Sequence, residues 1–126
     1  MPTSTEVVEN FLDLCTKGKA GIQQALREYF TPETVWENVG LACTTGVDEA
    51  LAFLAEAEQS AGITHFAVEM LSIVAGGDRV LTERVDHLVT PDGTPVVTIR
   101  LMGIFEVADG KIAAWRDYFD PAPLKG

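Results

Sequence analysis

An α+β fold, with a curved, mainly antiparallel sheet wrapped over three N-terminal helices, is predicted for this chain of 126 residues. Two observations carry that prediction. Apolar residues recur at helical spacing only in the first half of the chain, and after Gly62 their period shortens from 3.6 to 2. Three glycine-bearing turn sequences, "AGGD", "PDGT" and "ADGK", then punctuate the second half, so that consecutive strands are expected to pair antiparallel. Helices followed by a run of hairpins is an α+β plan, and residues 1–126 are expected to form one domain without linker or repeat.

The elements follow in order. Thr3 and Glu6 form a capping-box pattern, and Val7, Val8, Phe11, Leu12, Leu14 and Cys15 continue at helical spacing toward an end near Lys17 and Gly18. A second helix from about Gly21 carries Ile22, Ala25, Leu26, Tyr29 and Phe30. It is expected to stop at Thr31, because the residue before Pro32 avoids helical angles. "TVWENV" reads as a short strand. Thr45 and Gly46 precede a third helix with a stripe of Val47, Ala50, Leu51, Leu54 and Ala57, and with Asp48 and Glu49 in the first turn where the helix dipole favours them. Four strands are then expected at roughly 63–74, 79–90, 95–107 and 111–119.

Composition excludes several function classes. With 19 Asp plus Glu against 9 Lys plus Arg, the net charge of -10 repels phosphate backbones and anionic lipid, and no nucleic-acid partner is expected. No apolar run approaches the ~20 residues of a membrane span, so no membrane role is expected. Cys15 and Cys43 lie far apart with no CxxC pattern and read as small buried residues in a reduced, cytoplasmic protein. His65 and His87 are isolated, no metal-ligand spacing is present, and neither a metal nor a cofactor is predicted. Ser4, Ser60 and Ser72 stand in no GxSxG setting.

The chemistry is expected from the faces of the strands. In "VLTERVDHL" the residues Arg84 and Asp86 point the same way, in a row that ends in Val80 and Leu88. Asp117 shares a face with Trp115 and Phe119, and Trp36 shares one with Asn38. Between them, Val97, Ile99, Leu101, Gly103 and Phe105 make a nearly apolar face. If that face lines a concave interior, Arg84, Asp86 and Asp117 look into the same apolar space, where charges are costly unless paired. One consequence is a structural ion cluster. The other is acid/base chemistry: two carboxylates around one guanidinium leave a negative charge in excess, which favours retention of a proton by one of them.

"LTERVDHL", the strand ending "LMGIFEV", and "DGKIAAWRDYFD" resemble the limonene-1,2-epoxide hydrolase family, with "VWENVG" where that family has a Tyr-x-Asn strand. The likeness covers nearly the whole chain. It implies the cone-like fold of the nuclear transport factor 2-like (NTF2-like) and SnoaL-like proteins, a homodimer, and one-step, cofactor-independent addition of water to a small apolar epoxide to give a vicinal diol. Asp117 would be the general base on water, Asp86 the acid toward the epoxide oxygen, Arg84 the bridge between them, and Asn38 a holder of the water. Trp36 departs from the family's tyrosine, since an indole N–H donates a hydrogen bond but accepts none. Leu88, Val97, Ile99, Leu101, Phe105 and Phe119 are candidate substrate-lining residues. Two other outcomes stay open on the same fold. A ketosteroid isomerase or polyketide cyclase type of enzyme would use one aspartate as a base but give Arg84 no task. A non-catalytic small-molecule binding module would keep the trio as structure alone.

Overall fold

The computed structural model describes residues 2–124. Three helices come first or near first: α1 (Ser4–Cys15), α2 (Gly18–Tyr29) and α3 (Gly46–Ala61). Six strands, β1 (Phe30–Asn38), β2 (Ala42–Thr45), β3 (His65–Gly76), β4 (Arg79–Val89), β5 (Pro95–Ala108) and β6 (Lys111–Tyr118), form one curved sheet in the order β2-β1-β6-β5-β4-β3. The predicted class is therefore the observed one, and no helix among the described residues is long and apolar enough to cross a membrane.

Local chemistry sets the helix ends. The capping box at Thr3 is complete: Thr3 Oγ1 accepts from the Glu6 N–H at 3.1 Å, and Glu6 Oε1 accepts from the Thr3 N–H at 2.9 Å. Gly62, at φ 72, closes α3 in the left-handed conformation that glycine tolerates best. The Asp109–Gly110 turn has positive φ at both residues, 53 and 75, which suits the twist of a two-residue hairpin and sets β6 against β5.

Four features differ from the sequence expectations. The second helix begins at Gly18 rather than Gly21, directly after α1. Phe30 belongs to β1, not to the helix: its extended angles, φ -88 and ψ 152, already suit the strand into which Pro32 forces its neighbour. The short edge strand β2 pairs antiparallel with β1 and has too few residues to show a period. Finally, β1 and β6 run parallel, so the first and last strands of the sequence pair at Val35↔Ala114, Trp36↔Trp115 and Asn38↔Asp117.

The core lies between the helices and the concave face of the sheet. Val7, Val8, Phe11, Leu12 and Cys15 of α1 and Ile22, Ala25 and Leu26 of α2 pack against Phe30, Trp36, Val80, Phe105, Ile112 and Trp115. Cys15 is buried as expected, whereas Cys43 on the edge strand is exposed, because the pleat of β2 turns it outward between the part-buried Ala42 and the buried Thr44.

Candidate active site

Arg84 occupies the middle of β4, and the pleat turns it with Thr82 and Asp86 into the concave side. The guanidinium is 0% exposed, and Asp86 and Asp117 are 4% and 3% exposed. Arg84 Nε donates to Asp86 Oδ1 at 3.1 Å and Nη2 to Asp86 Oδ2 at 2.9 Å, a forked pair on one carboxylate. The same Nη2 donates to Asp117 Oδ2 at 2.8 Å, bridging β4 to β6. The remaining nitrogen, Nη1, donates to Thr82 Oγ1 at 2.8 Å. The three charged residues read from strand alternation thus converge in direct contact.

An aromatic column backs the trio. Trp36 on β1 and Trp115 on β6 stack face to face, 4.8 Å apart and 4° from parallel, and Trp115 stacks in turn on Phe105 at 5.2 Å. The Arg84 guanidinium lies 5.7 Å from the Phe105 ring centre and 5.9 Å from that of Trp115, within cation–π range. Trp115 also donates from Nε1 to Asp117 Oδ1 at 2.8 Å. Each Asp117 oxygen therefore meets a donor from the protein, one cationic and one neutral.

Electrostatics follow from this packing. Burial pulls the Arg84 guanidinium toward losing its proton, but Asp117 and Asp86 more than reverse that and hold it above its ordinary range. For Asp117, burial is the largest effect and pushes the carboxyl up to about 6, with Asp86 adding to the rise while Arg84 and the Trp115 N–H oppose it. A carboxyl poised this close to neutral pH suits a general base better than an ordinary aspartate would.

Asp86 and Asp117 line a cavity of about 460 Å³, and Arg84, completely buried, joins them without itself lining it. Trp36, Asn38, Leu88, Ile99, Leu101 and Phe119 line it as expected. Asn38 is half-buried beside Asp117 in the register of β1 and β6, and its side chain bonds to no other described residue. The Trp36 indole is 2% exposed, and its Nε1 is one of two buried polar side-chain atoms without a partner among the described residues.

Two expected lining residues are elsewhere. Phe105 is completely buried, because Phe11 of α1 fills the space beyond Arg84 and packs against it edge-on at 6.2 Å. Val97 sits opposite Leu88 beside the turn of the β4–β5 hairpin, half-buried, and does not reach the cavity. The sequence reading also missed one wall. Leu41 after β1, Phe53, Leu54 and Ala57 of α3, Ile63 before β3 and Phe66 at the start of β3 complete the lining of the cavity. The apolar stripe of α3 was a signal for part of that wall, but Phe53 lies off the stripe. Trp115 was placed on the correct face, but nothing in its spacing shows that its N–H holds Asp117. His65 and His87 take no part: His65 is buried against the Thr64 hydroxyl, and His87 bonds to Thr98 and Glu69 on the outer face.

Comparison with known proteins agrees with this geometry. Residues 2–124 match the family model of the limonene-1,2-epoxide hydrolase catalytic domain. Epoxide hydrolase EphG of Mycobacterium tuberculosis is 40% identical over 88 residues, a match that covers 70% of this chain and 56% of that protein; the matched stretch thus spans about half the length of this curated relative. A solved LEH-like epoxide hydrolase of M. tuberculosis, LEH being the limonene-1,2-epoxide hydrolase family, superposes with a TM-score of 0.75 at 32% identity, covering 94% of this chain and 79% of that one. An NTF2-like protein from Cytophaga hutchinsonii, at 16% identity, shares the fold alone, with a TM-score of 0.77 over 100% of this chain and 97% of its own. A charged trio in a sheet-and-helix cone, together with a family model spanning the described chain, has one consequence: the protein belongs to the limonene-1,2-epoxide hydrolase family.

Proposed function

We propose that the protein is a cofactor-independent epoxide hydrolase that adds water to a small apolar epoxide in one step. The observation that carries this is the completely buried Arg84 that joins Asp86 and Asp117, two carboxyl groups that line a cavity with mostly apolar walls. Two carboxylates and one guanidinium sum to one excess negative charge in a desolvated site, so one proton brings the trio to neutrality. For hydrolysis we assign Asp86 the role of acid, giving a proton, and Asp117 that of base, taking one.

A water held by Asp117 and the Asn38 side chain, with the unpartnered Trp36 N–H as donor to its oxygen, attacks an epoxide carbon from the side opposite the breaking bond. As the new C–O bond forms, the ring C–O bond breaks, Asp117 takes a proton from the water, and Asp86 gives its proton to the departing oxygen. Ring strain supplies part of the driving force, and the fixed positions of acid and base supply the rest without a covalent nucleophile. The product is a vicinal diol. Turnover leaves the proton on Asp117 and the charge on Asp86, so transfer of one proton between the two resets the site.

The outer face of the sheet supports a homodimer. Leu71, Val74, Leu81, Met102 and Tyr118 are 46 to 66% exposed there, on the side away from the helices. Sedimentation at several concentrations tests this part.

The hydrolysis itself is tested by assaying epoxides, limonene oxide and cyclohexene oxide among them, for diol, and then running a single turnover in ¹⁸O-labelled water. Label in the diol of the first turnover is expected for attack by bound water. Unlabelled first-turnover diol would mean that an enzyme carboxylate had attacked instead.

A further inference from the structure

We propose that Gly103 and Thr82 form a saddle in the sheet over which Arg84 reaches from one carboxylate to the other, and that both are positioning residues for the chemistry of the trio. Only their effect on rate rests on the epoxide-hydrolysis function proposed above.

Arg84 belongs to β4 and Asp117 to β6, and β5 lies between them. Neighbouring strands are about 4.8 Å apart, so the guanidinium touches Asp117 only by passing over β5. The β5 residue flanked by Thr82 on one side and Asp117 on the other is Gly103. A Cβ at Gly103 would overlap Asp117 Oδ1, stand 2.6 Å from Arg84 Nη1, and crowd Thr82 Oγ1 at 3.2 Å. Any side chain there would compete with the ion pair for the same space.

Backbone conformation does not explain this glycine. Gly103 is not among the residues with positive φ, and it sits in unbroken register with both neighbouring strands. Glycine weakens a strand interior, and a central one usually marks a close approach. Here what approaches is the charged trio.

Thr82 fixes the other side of the saddle. It is 1% exposed; its hydroxyl donates to the Gly103 carbonyl at 3.0 Å and accepts from Arg84 Nη1 at 2.8 Å. Four of the five guanidinium N–H donors are thereby engaged by Asp86, Asp117 and Thr82. Without the Thr82 hold, the guanidinium is free to turn onto Asp86 alone, to which it is already bound twice. Asp117 would then keep only the Trp115 N–H in apolar surroundings, and it would hold its proton to higher pH. The titratable and charged groups around Asp117 are Arg84 and Asp86 on β4 and the Cys15 thiol of α1, which burial raises far above its ordinary range. Of these, only Arg84 favours the ionised form of Asp117.

Three variants test the saddle: Gly103→Ala, Thr82→Val, and Gly76→Ala as a control, since a Cβ at Gly76 meets nothing within 4 Å. Carboxyl titration followed by ¹³C NMR on aspartate-labelled protein needs no substrate, and the Asp117→Asn spectrum assigns the signal. In Gly103→Ala the Asp117 midpoint is expected to rise by about one pH unit or more, the scale of losing a close opposite charge. Thr82→Val should shift it in the same direction by less, and Gly76→Ala should leave it unchanged. Wherever an epoxide is turned over, the acid limb of kcat/KM should move with that midpoint, and at neutral pH the loss should fall on kcat rather than KM. If the parent hydrolyses no epoxide, the carboxyl titration still decides the saddle, and only the hydrolysis function falls. Unchanged Asp117 midpoints in folded Gly103→Ala and Thr82→Val would overturn the proposal. Should Gly103→Ala fail to fold, an unchanged midpoint in the nearly isosteric Thr82→Val overturns it alone.

Discussion

Two arginine–carboxylate pairs sit on opposite faces of the same sheet, and they do different things. On the concave face, Arg84 holds Asp86 and Asp117 at 2.9 and 2.8 Å with side-chain exposures of 5% or less. On the outer face, Arg116 holds Glu106 at 2.8 Å with exposures of 25% and 31%. Distance does not separate them. Desolvation does: the inner cluster must be complete because water cannot replace a lost partner, whereas the outer one can exchange protein for solvent at little cost. The same atoms are a site on one face and solvated surface on the other.

The largest effect should come from removing the inner cation. Arg84→Met leaves two carboxyl groups in an apolar setting with no guanidinium between them. Unfolding by urea at pH 7.5 is expected to show a loss of about 3–5 kcal/mol, the range for breaking a buried pair. Arg116→Met should lose less than about 1 kcal/mol in the same assay. Equal losses would mean that burial is not what distinguishes the two faces.

Next come the carboxyls, where activity and stability should part. Asp117→Asn and Asp86→Asn are each expected to lower the rate on a good epoxide about 10²-fold or more. Stability at Asp117 should move the other way. Its folded carboxyl is raised from 3.8 to about 6, so the folded protein binds a proton there more tightly than the unfolded chain. The stability this confers is fully present below pH 3.8 and is lost as pH rises through 6, leaving a cost at neutral pH of up to about 3 kcal/mol. Asparagine carries no charge to desolvate. Asp117→Asn should therefore be at least as stable as the parent at pH 7.5, and its melting temperature should vary less between pH 4 and 6. In the parent, kcat/KM should fall about tenfold per pH unit below about 6 as Asp117 takes up its proton. An acid limb below pH 5, or none, would remove Asp117 from the role of base.

A smaller effect is expected at Trp36, whose N–H is unpartnered on the inner face. Trp36→Phe deletes the donor but keeps a ring in the stack with Trp115. Loss of a hydrogen bond worth about 1 kcal/mol or more to the attacking water predicts a rate lower by roughly tenfold. Trp36→Tyr, which restores a donor of the family's kind, should retain or raise activity. Full activity in Trp36→Phe would show that the indole only fills space.

How much of this was legible in the sequence depended on whether the signal was local. The periods of the helices and strands, the capping box at Thr3 and the glycine turns are set by neighbours in the chain, and they gave the fold class. Arg84 and Asp86 were legible for the same reason: two charges on one face of one strand conflict with an apolar row. Asp117 joined them because only three hairpin-linked strands are involved. The parallel pairing of β1 with β6 was not legible, since no turn connects them and they are neighbours only in the folded sheet, where α2 packs against both. Phe105 was misplaced for a related reason, because alternation assigns a face but not a depth, and depth is decided by Phe11 arriving from another element. In the sequence Gly103 reads as one more member of an apolar row. Only the strand order shows that an arginine crosses it.

The smallest expected effect belongs to the outer pair and gives the comparison its sharpest form. Glu106 faces both Arg116, at 2.8 Å, and Arg79, at 3.8 Å, on the outer side of β5. A double-mutant cycle with Glu106→Gln and Arg116→Gln, measured by urea unfolding, should give a coupling energy of about 0–1 kcal/mol. That coupling should shrink when salt is raised from about 0.1 M to 1 M, as the Debye length falls from about 10 Å to about 3 Å. Epoxide turnover should be unchanged, because the pair has no contact with the cavity. The inner cluster should behave oppositely in 1 M salt, with the Asp117 midpoint hardly moving, because ions cannot enter between groups this deeply buried. A salt-sensitive Asp117 midpoint beside a salt-insensitive Glu106–Arg116 coupling would reverse the assignment of the two faces.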